Sequence, residues 1–230
     1  MIHRYSLSAP PEAVASRLGV DPTEAYSPQF NAAPTHLLPV VTQESPTGLS
    51  FFYWGAPPAW ANQKPLGERL INVLAEGISE KPALRKKLRT HRCLVPADGF
   101  FIWKRIGKKA SVPYRFTLPD KSIFGMAGLW EEYEDEKDVN HHTFSLVTTS
   151  APESMVEFSD RMPVILAPEQ GQIWLGTTDE AILLSVLGPY PGVLDHYSVS
   201  SLVNNPTVND RRIIQAVPPA DQFGNLTLFD

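Results

Sequence analysis

Few side chains in this 230-residue sequence could do covalent chemistry, and its clearest chemical signal is cationic. Between Lys81 and Lys109 lie ten of the twenty basic residues, Lys86 and Arg89 among them, and the only acid in that stretch is Asp98. On a chain of net charge −5, such a cluster suits local attraction to phosphate better than general coating of nucleic acid. The plain alternative is the solvated flank of a helix. Cys93 is the single cysteine, set between Arg92 and Leu94, where a thiol is usually a small buried hydrophobe rather than a nucleophile. His3 could titrate near neutrality, but the sequence offers it no partners for a metal site, and neither metal nor cofactor is expected. His141-His142 follow an acidic loop and are expected at a hairpin tip in water.

The elements that must position these groups follow from composition and punctuation. With 43 % hydrophobic residues, the chain can bury roughly 70–75 % of its unfolded surface, and residues 1–230 are expected to form one domain. Its 22 prolines are barred from helix interiors and central strands, which calls for short elements joined by ordered turns. No run of about 18 apolar residues suggests a membrane span, and Met1–Glu12 has no apolar signal core. One cysteine allows no internal disulfide, so a cytoplasmic location is expected.

Strand-like runs occur at Arg4–Leu7, His36–Val41, Leu49–Trp54, Leu94–Pro96 and Phe100–Trp103. Others follow at Tyr114–Leu118, Ile123–Leu129, Thr143–Thr148 and Pro163–Leu166. Helical patterns cover Pro11–Leu18, stopped by Gly19, then Lys81–Arg89, Pro168–Leu175 and Asp179–Leu187. This reads as α+β, a curved or barrel-like, mostly antiparallel sheet flanked by a few helices. The tail from Pro218 is expected to lie over the body as an extended strap.

Four segments are informative together. Phe30–Thr35 pairs Asn31 with a proline that forces extension before it. Tyr53–Trp60 sets Trp54 and Trp60 around a rigid loop, and Arg92–Trp103 reads as a β-hairpin turning at Asp98-Gly99. Ser159–Leu166 runs from a polar corner into a strand. In this order and spacing, and with Val199–Asp210 following, they resemble the SRAP family over essentially the whole chain. The resemblance implies a protein that cradles single-stranded DNA and reacts with the ring-opened aldehyde of an abasic site. The implied nucleophile is a cysteine at position 2, whose amine forms an imine and whose thiol then closes a thiazolidine. A glutamate and a histidine move the protons, an asparagine orients the sugar, and an arginine beside it meets phosphate.

Carried over one residue at a time, that machinery is largely missing. Position 2 is Ile2, too bulky for ordinary removal of Met1; the glutamate position is Ile102 and the histidine position is Ser159. The asparagine survives as Asn72 and Glu76 is kept, while the phosphate-binding arginine is replaced by Leu74. Arg4 and Arg161 match positions lining the DNA groove, although Arg161 could instead pair with Asp160 or Glu157. Trp60 could stack on a base or be core, as could Trp54, and Asn204 and Asn209 are read either as binding or as turn residues.

Three functions are therefore open. The chain could be a pseudoenzyme that still binds single-stranded or abasic-site DNA, or a protein partner. It could be an active crosslinking enzyme or lyase using the Met1 amine. It could also be a regulatory module that binds protein and not DNA. The family's older description as a peptidase of the SOS response rests on the same missing cysteine.

Overall fold

The computed structural model describes residues 1–55, 71–107, 109–134, 138–221 and 223–227. Trp60 and Lys108 lie outside the described residues. The architecture is α+β, built on two sheets.

The larger sheet closes on itself. Strands β3 (Leu37–Thr42), β4 (Ser50–Trp54), β6 (Arg92–Ala97), β9 (Phe124–Glu134) and β10 (Asn140–Ser150) pair in a ring, because β10 bonds both β4 and β9. Beyond the ring, β10 carries β5 (Asn72–Leu74) in parallel and β11 (Arg161–Pro163) antiparallel, and β12 (Ile165–Leu166) extends β9. The smaller sheet is antiparallel, in the order β13 (Asp195–Ser198), β8 (Ala110–Thr117), β7 (Gly99–Ile106), β1 (Tyr5–Leu7) and β2 (Gln29–Ala32).

The main core lies where the sheets face each other, around Ile2, Tyr5, Trp54, Phe100, Ile102 and Phe144. A second apolar layer packs on the outside of the barrel, where Leu88 of α2 (Pro82–Thr90), Trp174 of α3 (Pro168–Gly176) and Leu183 of α4 (Glu180–Ser185) cover Leu129 and Val147. Helix α1 (Pro11–Leu18) ends as its sequence directs, with Gly19 in the left-handed region at φ 67°.

Two expectations need correction. Strands β6 and β7 do not form a hairpin: the chain crosses at Asp98-Gly99 from the barrel into the other sheet. That crossing is fixed by a buried ion pair, Arg115 Nη2 to Asp98 Oδ1 at 2.7 Å, with the side chains 6 % and 7 % exposed. The Asp98 carboxylate also accepts from the Ser6 hydroxyl and from the Ser8 hydroxyl and amide. Gly99 must be glycine, since a Cβ there would come within 2.6 Å of Arg115 Nε and 3.0 Å of the Phe116 carbonyl. The tail is not a strap. It joins the body at Val199–Ala216 and folds back on itself through an Ala220–Leu226 bridge around Asp221.

Removing one member of a buried, hydrogen-bonded ion pair leaves the other charge without compensation and costs about 3–5 kcal/mol. Asp98→Ala is therefore expected to lower unfolding stability by that amount in urea titration; a loss below about 1 kcal/mol would show that the crossing does not depend on the carboxylate.

Candidate functional site

The residues singled out by the resemblance come from both sheets. Ile2 precedes β1 and Ile102 sits in mid-β7; both are buried, and both belong to the same apolar cluster. Asn72 opens β5, and its Nδ2 donates to the Ile2 carbonyl at 2.9 Å, which ties the N-terminal segment to the barrel. Its Oδ1 is buried without a partner, so half of this amide remains uncommitted among the described residues. Two residues along the strand, and therefore on the same face, Leu74 is half-exposed and offers no cation.

Arg161 is held more firmly than sequence suggested, and by a different partner. Its guanidinium forks onto Glu76 at 2.8 and 2.9 Å and also donates to the Thr148 carbonyl. The Arg161 hydrogen bonds hold the Glu76 carboxyl well below the usual range, at about 2. Ser159 is spent locally, accepting from the Arg161 amide at 3.1 Å and donating to the Arg161 carbonyl at 2.8 Å. Its hydroxyl braces the corner and cannot move protons near neutrality.

The remaining candidates divide between structure and surface. Asn31 is buried, and its Nδ2 donates to the carbonyls of Asn205 and Val208, so it anchors the C-terminal loop. Asn209 completes that anchor by accepting from the Phe30 amide and donating to the Pro28 carbonyl. Asn204 Oδ1 accepts from Trp103 Nε1 at 2.7 Å. Trp54 is fully buried, with Nε1 donating to the Ile71 carbonyl, and is core rather than a stacking platform. Arg89, with Arg85, is paired to Glu180, while Lys86 stays on the exposed face of α2. Burial pushes the Cys93 thiol far up and removes it from nucleophilic chemistry. His142 is partly buried and stacks on Phe52 at 4.9 Å, which corrects its expected place in open water.

The sequence singled out Arg4 and His3, whereas His36 was not legible as a site residue. Arg4 donates from Nη1 to the His3 carbonyl, while Arg4 Nε and His3 Nδ1 are both buried without partners. His36 lies close enough for Arg4 to depress its pKa, below the effect of its own burial. Just before it, Thr35 adopts φ 74°, a region that a β-branched residue rarely enters. Among the described residues, no group of three or more His, Cys, Asp or Glu could hold a metal. No helix among them is long and apolar enough to cross a membrane.

A closed barrel packed on an antiparallel sheet, with its site at the junction of the N-terminal segment, β5, β7 and β11, defines the class. The comparisons then make it specific. The chain belongs to the SRAP family, described as SOS response associated peptidase, whose model matches residues 1–206. It is 36 % identical over 223 residues to the abasic site processing protein YoqW of Bacillus subtilis, covering 94 % of this chain and 100 % of that one. It is 27 % identical over 201 residues to the abasic site processing protein YedK of Escherichia coli, covering 84 % and 88 %. A crystal structure of a protein from Bacteroides thetaiotaomicron superimposes with a TM-score of 0.79 at 27 % identity, covering 94 % of this chain and 99 % of that one.

Ile2 and Ile102 bury apolar surface at the positions where the resemblance implies a thiol and a carboxylate. Restoring both, as Ile2→Cys with Ile102→Glu, places a carboxyl group in an apolar cluster, a cost on the order of 2–3 kcal/mol. The double variant is expected to melt about 5–10 °C lower than the parent by circular dichroism. An equal or higher melting temperature would show that the site has not been repacked for stability.

Proposed function

We propose that this chain is a cytosolic SRAP protein that binds single-stranded and abasic-site DNA but does not form the covalent thiazolidine crosslink. The observation that carries this reading is the burial of Ile2 and Ile102 in one apolar cluster, where no thiol or carboxylate can meet an aldehyde. Losing one general acid or base costs about 10²–10⁴ in rate, and here the nucleophile is absent as well. DNA binding is supported by what the site keeps: Asn72 with a free buried acceptor and Arg4 with an uncommitted Nε among the described residues. The curated relatives are named for abasic-site processing, which supports the same substrate class.

Incubation with abasic single-stranded DNA, with and without borohydride, is expected to give no covalent adduct. The same oligonucleotide without borohydride is expected to bind with an affinity that falls as salt rises, by about 0.7 in log K per log salt for each phosphate contact. An adduct that disappears when the N-terminus is acetylated would replace this reading with an enzyme using an amine, and salt-insensitive or absent binding would replace it with a protein-binding module. Glu76→Gln releases the Arg161 fork, so it should tighten binding and add about 0.7 to the salt slope; weaker binding would mean that the ion pair itself shapes the groove.

A further inference from the structure

We propose that the cleft between α1 and α3, on the outer wall of the barrel, is a binding site for a small amphipathic carboxylic acid. The apolar body of the acid lies along the barrel wall and its carboxylate meets Arg17. The inference is independent of the DNA-binding reading, since the cleft shares no residue with the candidate site.

The first argument is the shape of the cavity. Its volume is about 890 Å³, and it reaches from the end of α1, at Arg17–Gly19, to α3. That volume lies within the roughly 300–1,000 Å³ of small-molecule sites. Leu94 of β6, Phe124 of β9, and Ile165 and Leu166 of β12 line it. Among the described residues, none of the exposed large apolar side chains lines this cavity. Its apolar surface is therefore recessed, which suits a small molecule better than the flat face of a partner protein.

The second argument is a glycine. Gly171 stands inside α3, where glycine is among the least favourable of residues. Close packing does not demand it there. A Cβ on Gly171 would meet only the Leu94 methyl groups, at 3.7 and 3.8 Å, which is ordinary contact. Gly171 and Leu94 both line the cavity, so what the missing side chain leaves is room. Gly125 of β9, by contrast, has to be glycine, because a Cβ there would overlap the Leu94 side chain.

The third argument is the polar rim. Arg17 is the only cation lining the cavity among the described residues. Its Nε donates to the Ile123 carbonyl at 2.9 Å, which fixes the guanidinium and leaves both terminal nitrogens uncommitted among the described residues. A planar guanidinium with two free nitrogens matches a carboxylate bidentately. Arg17 is exposed, so the head group keeps its contact with water and avoids the cost of burying a charge. Gln43 is already spent, donating to the Thr90 carbonyl and accepting from the Arg92 amide. The one acid on the rim, Asp120, accepts from the Ser122 amide at 3.0 Å. That bond holds its carboxyl below the usual range, with Arg17 a lesser cause, and no ion pair joins the two among the described residues. Asp120 is exposed, and solvent and salt screen its repulsion.

The test is isothermal titration calorimetry of the whole chain with sodium decanoate, and with decanol as the counterpart that lacks the charged head. Decanoate is expected to bind once per chain, at least about tenfold tighter than decanol. Arg17→Gln should remove that advantage and leave decanol unchanged, and Asp120→Asn, which keeps the turn, should tighten decanoate. Gly171→Leu puts a side chain into the cavity and should abolish binding of both compounds. Gly171→Ala should weaken both while raising the melting temperature of the free protein by about 2–4 °C, and it carries the test if leucine unfolds the chain. Melting curves confirm that each variant is folded. No binding of decanoate, or binding undiminished in the folded glycine variants, overturns the site. Equal affinity for decanol and decanoate, or decanoate weakened by Asp120→Asn, overturns the acid. Affinity for an intact single-stranded oligonucleotide should be the same in the parent and in Gly171→Leu, and a loss there would overturn the independence of the two sites.

Discussion

The buried Asp98 carboxylate is where the two sheets become one protein. It receives the Arg115 guanidinium from β8, the Ser6 hydroxyl from β1, and the Ser8 hydroxyl and amide from the segment that follows. Arg115 in turn donates to Ser6 and to the Tyr197 hydroxyl on β13, which passes the connection to the Ile214 carbonyl near the C-terminus. A single charge thus joins the first strand, the crossing turn, the edge strand and the tail. Taking such a pair out of water costs several kcal/mol per ion. The acceptors are saturated, which is the condition under which the cost is offset, and breaking one partner would expose the whole of it. Gly99 completes the arrangement because only a residue without a Cβ lets the turn approach Arg115.

The candidate site depends on this junction. Pairing of β1 with β7 places the N-terminal segment beside Ile102, and the Asn72 bond to the Ile2 carbonyl fastens it to β5 of the other sheet. Short segments from two sheets therefore meet, with β5, β7 and β11 each fixed by backbone pairing. Rigid positioning of that kind is what a covalent reaction requires. At the positions where the resemblance implies a thiol and a carboxylate, the chain carries buried isoleucines, and burial of such side chains is favourable by roughly 1.5–3 kcal/mol each. The proposed function is thus that of a scaffold that keeps its placement while core side chains stand in for reactive groups, an exchange that generally gains stability where it loses function.

The fold was largely legible in the sequence, and the failures have physical causes. Gly19, Pro82 and the alternating apolar runs located the main helices and strands because each acts through local backbone geometry. Strands β2 and β13 escaped notice because Gln29–Ala32 and Asp195–Ser198 are short and mostly polar, and are held by neighbours distant in sequence. The Asp-Gly turn misled for the same reason. Its local chemistry suits a hairpin, but pairing partners far along the chain send its two arms into different sheets. The role of Asp98 was not legible: its sequence neighbours suggested only a turn, and its partner, Arg115, lies outside the basic stretch. At the candidate site, the resemblance named the residue types to look for, whereas the Arg161–Glu76 pairing could come only from the tertiary arrangement.

The basic run shows why charge counted along a chain is a poor guide to charge available at a surface. Arg85 and Arg89 are paired with Glu180, Lys87 with Glu131, and Lys104 with Glu157. Arg92 is buried, and its guanidinium donates to the carbonyls of Leu88, Arg89, Trp174 and Thr177, where two helices end. Helix C-termini carry partial negative charge and unbonded carbonyls, so one arginine satisfies both ends without any acid. Four of the ten, Arg85, Lys87, Arg89 and Arg92, therefore dock α2, α3 and α4 onto the barrel. The potential at a surface is set by the charges left uncompensated there rather than by the sum over the chain, so neither the net charge of −5 nor the basic run by itself fixes what the candidate site presents.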